Sequence, residues 1–348
     1  MSLLASSLNL AQRLLVQYCH STFFILGMVG SLINIVLFST YRLRSNSCCI
    51  YFLVSSVSAL ILLPIGIVPQ LYSLYNSPNP FTTISSFCKA RTYLNQTSAM
   101  SCRWLLVIAC LDRCSSCSTN AFIRRFSSLP VAKRAACLVV IIWFIFPIHT
   151  LIYSNIQPPG GISCSITDDG VAIYHRFYTI IMGGVLPCLI VLVASVIIWK
   201  RLQARKRRQI VISNDERVRR RNQIQDQQVI IMLIVQVGIF MISTIPFMSY
   251  NIYDTMTRVV TNKSADRKAI ESLCKTLSEL LVYLISMSFY SNTLVSRTFR
   301  KELIFLVRCM GSWGRYQRST QVQPITATVT QNMAPQRLTK VQTGNTAK

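Results

Sequence analysis

Polar and apolar positions along the chain sort into seven long apolar stretches, at residues 18–40, 48–72, 88–111, 132–153, 177–199, 229–250 and 273–295. Each is long enough, as a helix, to cross a hydrocarbon layer of roughly 30 Å. An odd number of crossings puts the two ends of the chain on opposite sides. The first stretch follows Arg13 as a signal peptide would, but it exceeds the usual length and lacks a small-residue cleavage site, so it reads as a retained span. Composition agrees: 51% hydrophobic, 14% charged and a mean hydropathy of +0.42 describe a membrane protein. The expected fold class is an all-α membrane protein, a seven-transmembrane helix bundle with a short amphipathic helix after the seventh span.

Charge then orients the bundle. One set of connections carries Arg42 and Arg44, then Arg124, Arg125, Lys133 and Arg134, then the run from 200 to 221, then Arg297, Arg300, Lys301 and Arg308. Short loops rich in Lys and Arg stay cytoplasmic. The opposite loops are mixed, with Lys89, Arg91, Asp168, Asp169 and the segment 254–268. The amino terminus is therefore expected outside and the carboxyl terminus inside, in a multi-pass plasma-membrane protein. The formal charge of +25 does not indicate nucleic acid, because the basic residues flank apolar spans without aromatic interleaving. Membrane lipid and an acidic cytoplasmic partner explain it better.

The third stretch is the most informative. It runs from Cys88 to the charged pair Asp112 and Arg113, a helical rise of about 37 Å. Of the thirteen cysteines, Cys102, Cys110, Cys137 and Cys188 lie within spans as small apolar residues, and none has metal-ligand spacing. Cys88 and Cys164 face an oxidising compartment and pair as a disulfide, the alternative being two free thiols.

These features resemble the rhodopsin-like (class A) G-protein-coupled receptors over about residues 17–309. The matching residues are Asn34, Cys88, Leu111-Asp112-Arg113-Cys114 in place of Asp-Arg-Tyr, Trp143, Cys164, Pro187, Pro246-Phe247 and the run 296–303. The chain departs from the family at Ala59 for the second-span Asp, Thr244 for the sixth-span Trp and Ser195 for the fifth-span Tyr. In place of Asn-Pro-x-x-Tyr it has Ser288-Phe289-Tyr290-Ser291-Asn292. Loss of the second-span carboxylate implies no strong sodium site.

The resemblance implies a receptor that passes an extracellular signal to a heterotrimeric G protein by outward movement of the sixth helix. Asp226 lies about 30 Å by helical rise before Pro246, level with Arg113. A resting bridge from Arg113 to Asp112 and Asp226 is expected, since a guanidinium can serve two carboxylates. A solvated Asp226 is the alternative. Pro246 bends the sixth helix so that its inner half can swing.

The chain divides into an extracellular amino terminus, 1–17, a receptor domain, 18–310, with an amphipathic helix at about 298–309, and a disordered cytoplasmic tail, 311–348. The basic segment 200–227 reads as a coupling surface, its ends extending the fifth and sixth helices. Phe299, Leu303, Ile304, Phe305 and Val307 interleave with charges, as in a helix lying on a leaflet, and Cys309 is positioned for palmitoylation. Ser319, Thr320, Thr326, Thr328, Thr330 and Thr339 offer phosphorylation sites for shut-off through arrestin. Asn262 begins a sequon in an outer loop, whereas the sequon at Asn95 lies within the membrane.

For the ligand, the retinal lysine position is about Val282, and Lys275 lies two turns too far out, which excludes light sensing. The amine-receptor Asp is Asn95 here, which excludes monoamines. The expected lining is Tyr93, Asn95, Gln96, Tyr250, Asp254, Lys275 and Glu279, and the charge mixture suits a short peptide, as in invertebrate FMRFamide-type neuropeptide receptors. Glu279 meets either a cationic ligand group or Lys275. Arg103, near mid-membrane, has no evident partner. No enzyme motif is present, and no cofactor, metal site or catalytic residue is expected. A transporter would show internal repeats, which are absent. A receptor fold that binds without coupling is the serious alternative.

Overall fold

The computed structural model of the protein describes residues 3–76, 83–118, 120–157, 162–209, 217–257, 260 and 263–310. Among them seven long helices form the bundle. They are α1 (Leu3–Ser39), α2 (Ser47–Tyr75), α3 (Ser85–Ser116), α4 (Leu129–Tyr153), α5 (Asp169–Ile180, Ile181–Val185 and Leu186–Gln209 in succession), α6 (Arg217–Thr257) and α7 (Ala265–Val282, Tyr283–Met287 and Ser288–Val295). A shorter α8, Arg297–Met310, follows α7. By its contacts the chain forms one compact unit, Met1–Val307, and a second, Arg308–Lys348, of which only 308–310 are described.

Local chemistry sets the boundaries. Asn46 caps α2 by accepting from the Cys48 N–H, Asp168 caps α5 by accepting from Val171, and Ser264 caps α7 by accepting from Arg267. Pro130 sits in the first turn of α4, where its missing N–H is harmless. Between α4 and α5 an antiparallel hairpin of β1 (Ser154–Gln157) and β2 (Ile162–Ile166) pairs Ser154 with Ile166, with a bulge between Asn155 and Gln157. Cys164 in β2 is joined to Cys88 at the start of α3.

The outward surfaces are apolar. Ile25, Val29 and Leu32 on α1, Leu138, Ile141 and Ile145 on α4, and Leu189, Val193 and Val196 on α5 are all exposed. Such faces are stable only against lipid. Six of the seven helices are apolar and long enough to cross a membrane by themselves; α3 is the exception. It packs against α2, α4, α5 and α6 and buries Thr97, Ser98, Ser101 and Arg103, so neighbouring helices rather than lipid surround it. The expectation that this stretch is an apolar span like the other six is corrected accordingly.

Helix α1 starts far earlier than residue 18, because the segment Leu3–Leu14 contains no Gly or Pro and continues through a π-turn, Leu15–His20. Gln12 anchors this extension to α7: its Nε2 donates to Thr276 Oγ1 at 3.0 Å and its Oε1 accepts from Ser272 at 3.0 Å. In α8, Phe299 is fully buried, its ring 5.6 Å from Phe38 and 6.0 Å from Phe289, while Ile304 and Val307 face outward.

Candidate functional site

At the end of α3 away from the disulfide, Asp112 and Arg113 are 5% and 3% exposed and lie against each other. Arg113 Nε donates to Asp112 Oδ2 at 3.0 Å, and Nη2 donates to the same oxygen and to Ser47 Oγ. Ser47 in turn donates to Asp112 Oδ2 at 2.8 Å, and Ser127 lies 3.2 Å from Ser47. Ser47 opens α2 and Ser127 lies just before α4, so one guanidinium gathers three parts of the bundle. The Asp112 contact matches the expectation; the two serines were not foreseen, since a serine at a helix start reads first as a cap. Asp226 lies in the helical backbone of α6, but its side chain is outside the described residues.

Farther along, a polar network ties α6 to α7. Gln236 is 5% exposed and its Nε2 reaches Ser288 O at 3.3 Å, Ser291 Oγ at 3.0 Å and Asn292 Oδ1 at 3.2 Å. Asn34 of α1 donates to Ser288 Oγ at 2.9 Å. The 3-10 stretch Tyr283–Met287 precedes these residues and turns Ser288 toward α1 and α6. Sequence reading missed Gln236; a lone Gln inside an apolar helix was the available signal. Replacing Gln236 by Leu strands buried acceptors on α7 and should cost about 1–3 kcal/mol. The purified protein should then melt about 3–6 °C lower. A melting temperature unchanged within 1 °C would show that this network contributes little.

The disulfide end encloses a vestibule of about 1010 Å³, lined from α1 by Gln12 and Arg13, from α2 by Gln70, from α3 by Arg91, Asn95 and Gln96, from β2 by Cys164, from α5 by His175, and from α7 by Ser272, Lys275 and Glu279. Below it lies a smaller cavity of about 150 Å³ that shares Gln70, Arg91, Asn95, Gln96 and Glu279 and adds Arg103, Thr179, Phe247 and Tyr283. Gln70 Nε2 donates to Glu279 Oε2 at 3.1 Å, whereas Lys275 Nζ is 3.9 Å from Glu279 and largely exposed. The amide is the closer partner, and an exposed ion pair at that distance contributes little.

Of the residues expected to line a ligand site, Asn95, Gln96, Lys275 and Glu279 border these cavities and the other three do not. Tyr93 turns toward α4, donating to Phe144 O at 2.6 Å. Asp254 pairs with Arg176 at 2.9 Å, tying α6 to α5. Tyr250 lies half-buried on α6. A drift of one position around a helix moves a side chain by 100°, which is enough to exchange cavity for neighbour. Arg91, Gln70, His175 and Phe247 were missed; their level in the membrane was readable, their facing was not.

Pro246 lies inside α6 and withholds one backbone donor from the preceding turn. Thr244, just before it, is buried with no hydrogen-bond partner for its hydroxyl among the described residues. The Cys309 side chain, Asn262, most of the basic segment's side chains and the tail's hydroxyl residues lie outside the described residues.

A family model described as 7 transmembrane receptor (rhodopsin family) matches residues 18–289. The chain is also similar to the Neuromedin U receptor homolog nmur-2 of Caenorhabditis elegans, at 21% identity over 302 residues, covering 79% of this chain and 72% of that one.

Proposed function

Because the chain belongs to the rhodopsin family of seven-transmembrane receptors, a family of receptors and not of enzymes, we propose that it carries an extracellular signal, delivered by a short peptide, to a cytoplasmic heterotrimeric G protein. The disulfide end with its vestibule faces outside, together with the amino terminus, and the Asp112–Arg113 end faces the cytoplasm with the carboxyl terminus. The observation that carries this reading is that a single helix, α3, contributes Arg91, Asn95 and Gln96 to the vestibule and Asp112 and Arg113 to the cluster at its other end.

A polar, charged cavity of about 1010 Å³ suits several residues of peptide better than a lipid, and the similarity to a protein named as a neuromedin U receptor homolog is consistent with that. At rest Arg113 is held by Asp112 and the two serines, with Asp226 of α6 as a further partner. Ligand binding releases the guanidinium and lets the inner half of α6 swing about Pro246, opening a cleft. Arrestin would act on the same open face after phosphorylation of the tail.

The test is a peptide library applied to cells that express the full chain with a promiscuous G protein. A response absent from untransfected cells is expected. Silence at good surface expression would favour a receptor fold that binds without coupling, a reading to which Thr244 and Ser195 lend weight; the Ser195 hydroxyl is turned onto its own helix, donating to Val191 O at 2.7 Å.

A further inference from the structure

Two arginines ten residues apart on α3 are each 3% exposed, yet among the described residues only one of them meets a carboxylate. Arg113 has a carboxylate and serine hydroxyls around it. Arg103 has no hydrogen-bond partner for its Nε among the described residues, and no described carboxylate pairs with it. A guanidinium this deep in a bundle is costly unless something accepts from it.

Its surroundings are built to present it. The Arg103 Cζ lies over the Phe247 ring, 5.5 Å from its centroid, a contact that satisfies the charge in part but accepts no N–H hydrogen bond in the guanidinium plane. On the α5 side the helix widens into the π-turn Ile181–Val185, and a Cβ at Gly183 would lie 2.7 Å from Arg103 Nη1. A side chain there would make the guanidinium and the Met100 methyl shift, so glycine allows both to pack against this turn, and such π-turns recur at functional sites. The side chain borders the 150 Å³ cavity beneath the vestibule, beside Asn95 and Thr179. That volume equals about five liquid waters, the size of a carboxylate with a small apolar group.

We infer that the inner cavity is an anion site, in which Arg103 holds a carboxylate through its planar fork, with Asn95 beside it. The carboxylate belongs either to the agonist, as a free carboxyl terminus or acidic side chain seated at the floor of the vestibule, or to a free small organic acid. The inference deepens the ligand reading above and rests on it only for the first source. It differs from the alternative in which Glu279 meets a cationic ligand group: Glu279 is held by Gln70, and Arg13, Arg91, Arg103 and Lys275 outnumber it along the combined lining. A carboxylate meets a planar donor edge bidentately, which a neutral amide cannot do.

The test uses the purified full-length receptor, melted with sodium benzoate or with benzamide at equal concentration and ionic strength. Benzoate should raise Tm by about 2–4 °C at saturation and benzamide should not. The benzoate shift should vanish in Arg103→Gln and persist in reduced form in Arg103→Lys. Gly183→Ala, which displaces the guanidinium without removing it, should weaken benzoate binding about tenfold and guards against a misfolded Arg103→Gln. Equal shifts from acid and amide, no shift from either, or a full benzoate shift in Arg103→Gln would overturn the site.

Peptide pools synthesised as carboxyl-terminal acids and as amides then separate the sources. Activation by the acid pool alone, lost about 100-fold in potency in Arg103→Gln, assigns the carboxylate to the agonist. Activation by amides beside an Arg103-dependent benzoate shift assigns it to a free acid. Signalling by either pool without a benzoate shift leaves the receptor reading intact and removes only the anion site.

Discussion

Asp112→Asn should raise agonist-independent signalling about tenfold at matched surface density. The substitution keeps the shape of the side chain but removes the carboxylate charge, so contacts ionised on both sides become hydrogen bonds from the Arg113 cation to a neutral amide oxygen. Hydrogen bonds to a charged partner are worth about 1.5–3 kcal/mol against about 1 for neutral ones. Losing roughly 1.4 kcal/mol from the resting state multiplies the active fraction by ten. Ser47→Ala, which removes one hydroxyl from the same cluster, should give a smaller rise of about two- to threefold. Asp226→Ala should add to the effect if α6 contributes to the restraint. Arg113→Ala should behave differently: it leaves Asp112, whose Oδ1 already has no partner among the described residues, as a buried uncompensated carboxylate, at a cost of about 3–5 kcal/mol. Surface expression should fall several-fold and signalling with it. Basal output that stays flat in Asp112→Asn would mean that the resting state is held elsewhere, with the Gln236 network the next place to look.

Cys88→Ser should lower the melting temperature of the purified receptor by roughly 8 °C or more and cut surface expression at least fivefold. The disulfide links positions 76 residues apart, and opening so long a loop returns about 4 kcal/mol of chain entropy to the unfolded state. It also fixes the β1–β2 hairpin against the start of α3, where Cys164 forms part of the vestibule wall. The diagnostic comparison is the double substitution Cys88→Ser with Cys164→Ser. Because both single changes break the same bond, the double should be no worse than either alone. Additive losses would indicate that each cysteine contributes separately from the bridge.

Most of the apolar runs, the paired cysteines and the Asp112–Arg113 pair were legible in the sequence, because each is a property of composition or of fixed spacing along one helix. What escaped is what depends on how helices face one another. Tyr93 and Asn95 are two residues apart on α3, yet one meets Phe144 and the other borders both cavities. No periodic pattern separates them, since both are polar near the same depth. Ser47 and Ser127 join Arg113 from 66 and 14 residues away in the chain, and only the packed bundle brings them together. The extension of α1 to Leu3 was hidden for a different reason: its residues are too polar to register as a span, although Ala, Leu and Gln are good helix formers and Gln12 ties the segment to Ser272 and Thr276 of α7.

The mixed character of α3 has a bearing on biogenesis. A segment with a guanidinium at its centre and hydroxyl groups along its length partitions weakly into lipid when it leaves the ribosome by itself, the arginine alone disfavouring entry by about 2.5–3.5 kcal/mol. Its insertion must therefore be assisted by the strongly apolar α2 before it and α4 after it, as a co-inserting group. Chains interrupted shortly after Ser116 would be expected to stall at the translocation channel and be cleared by quality control.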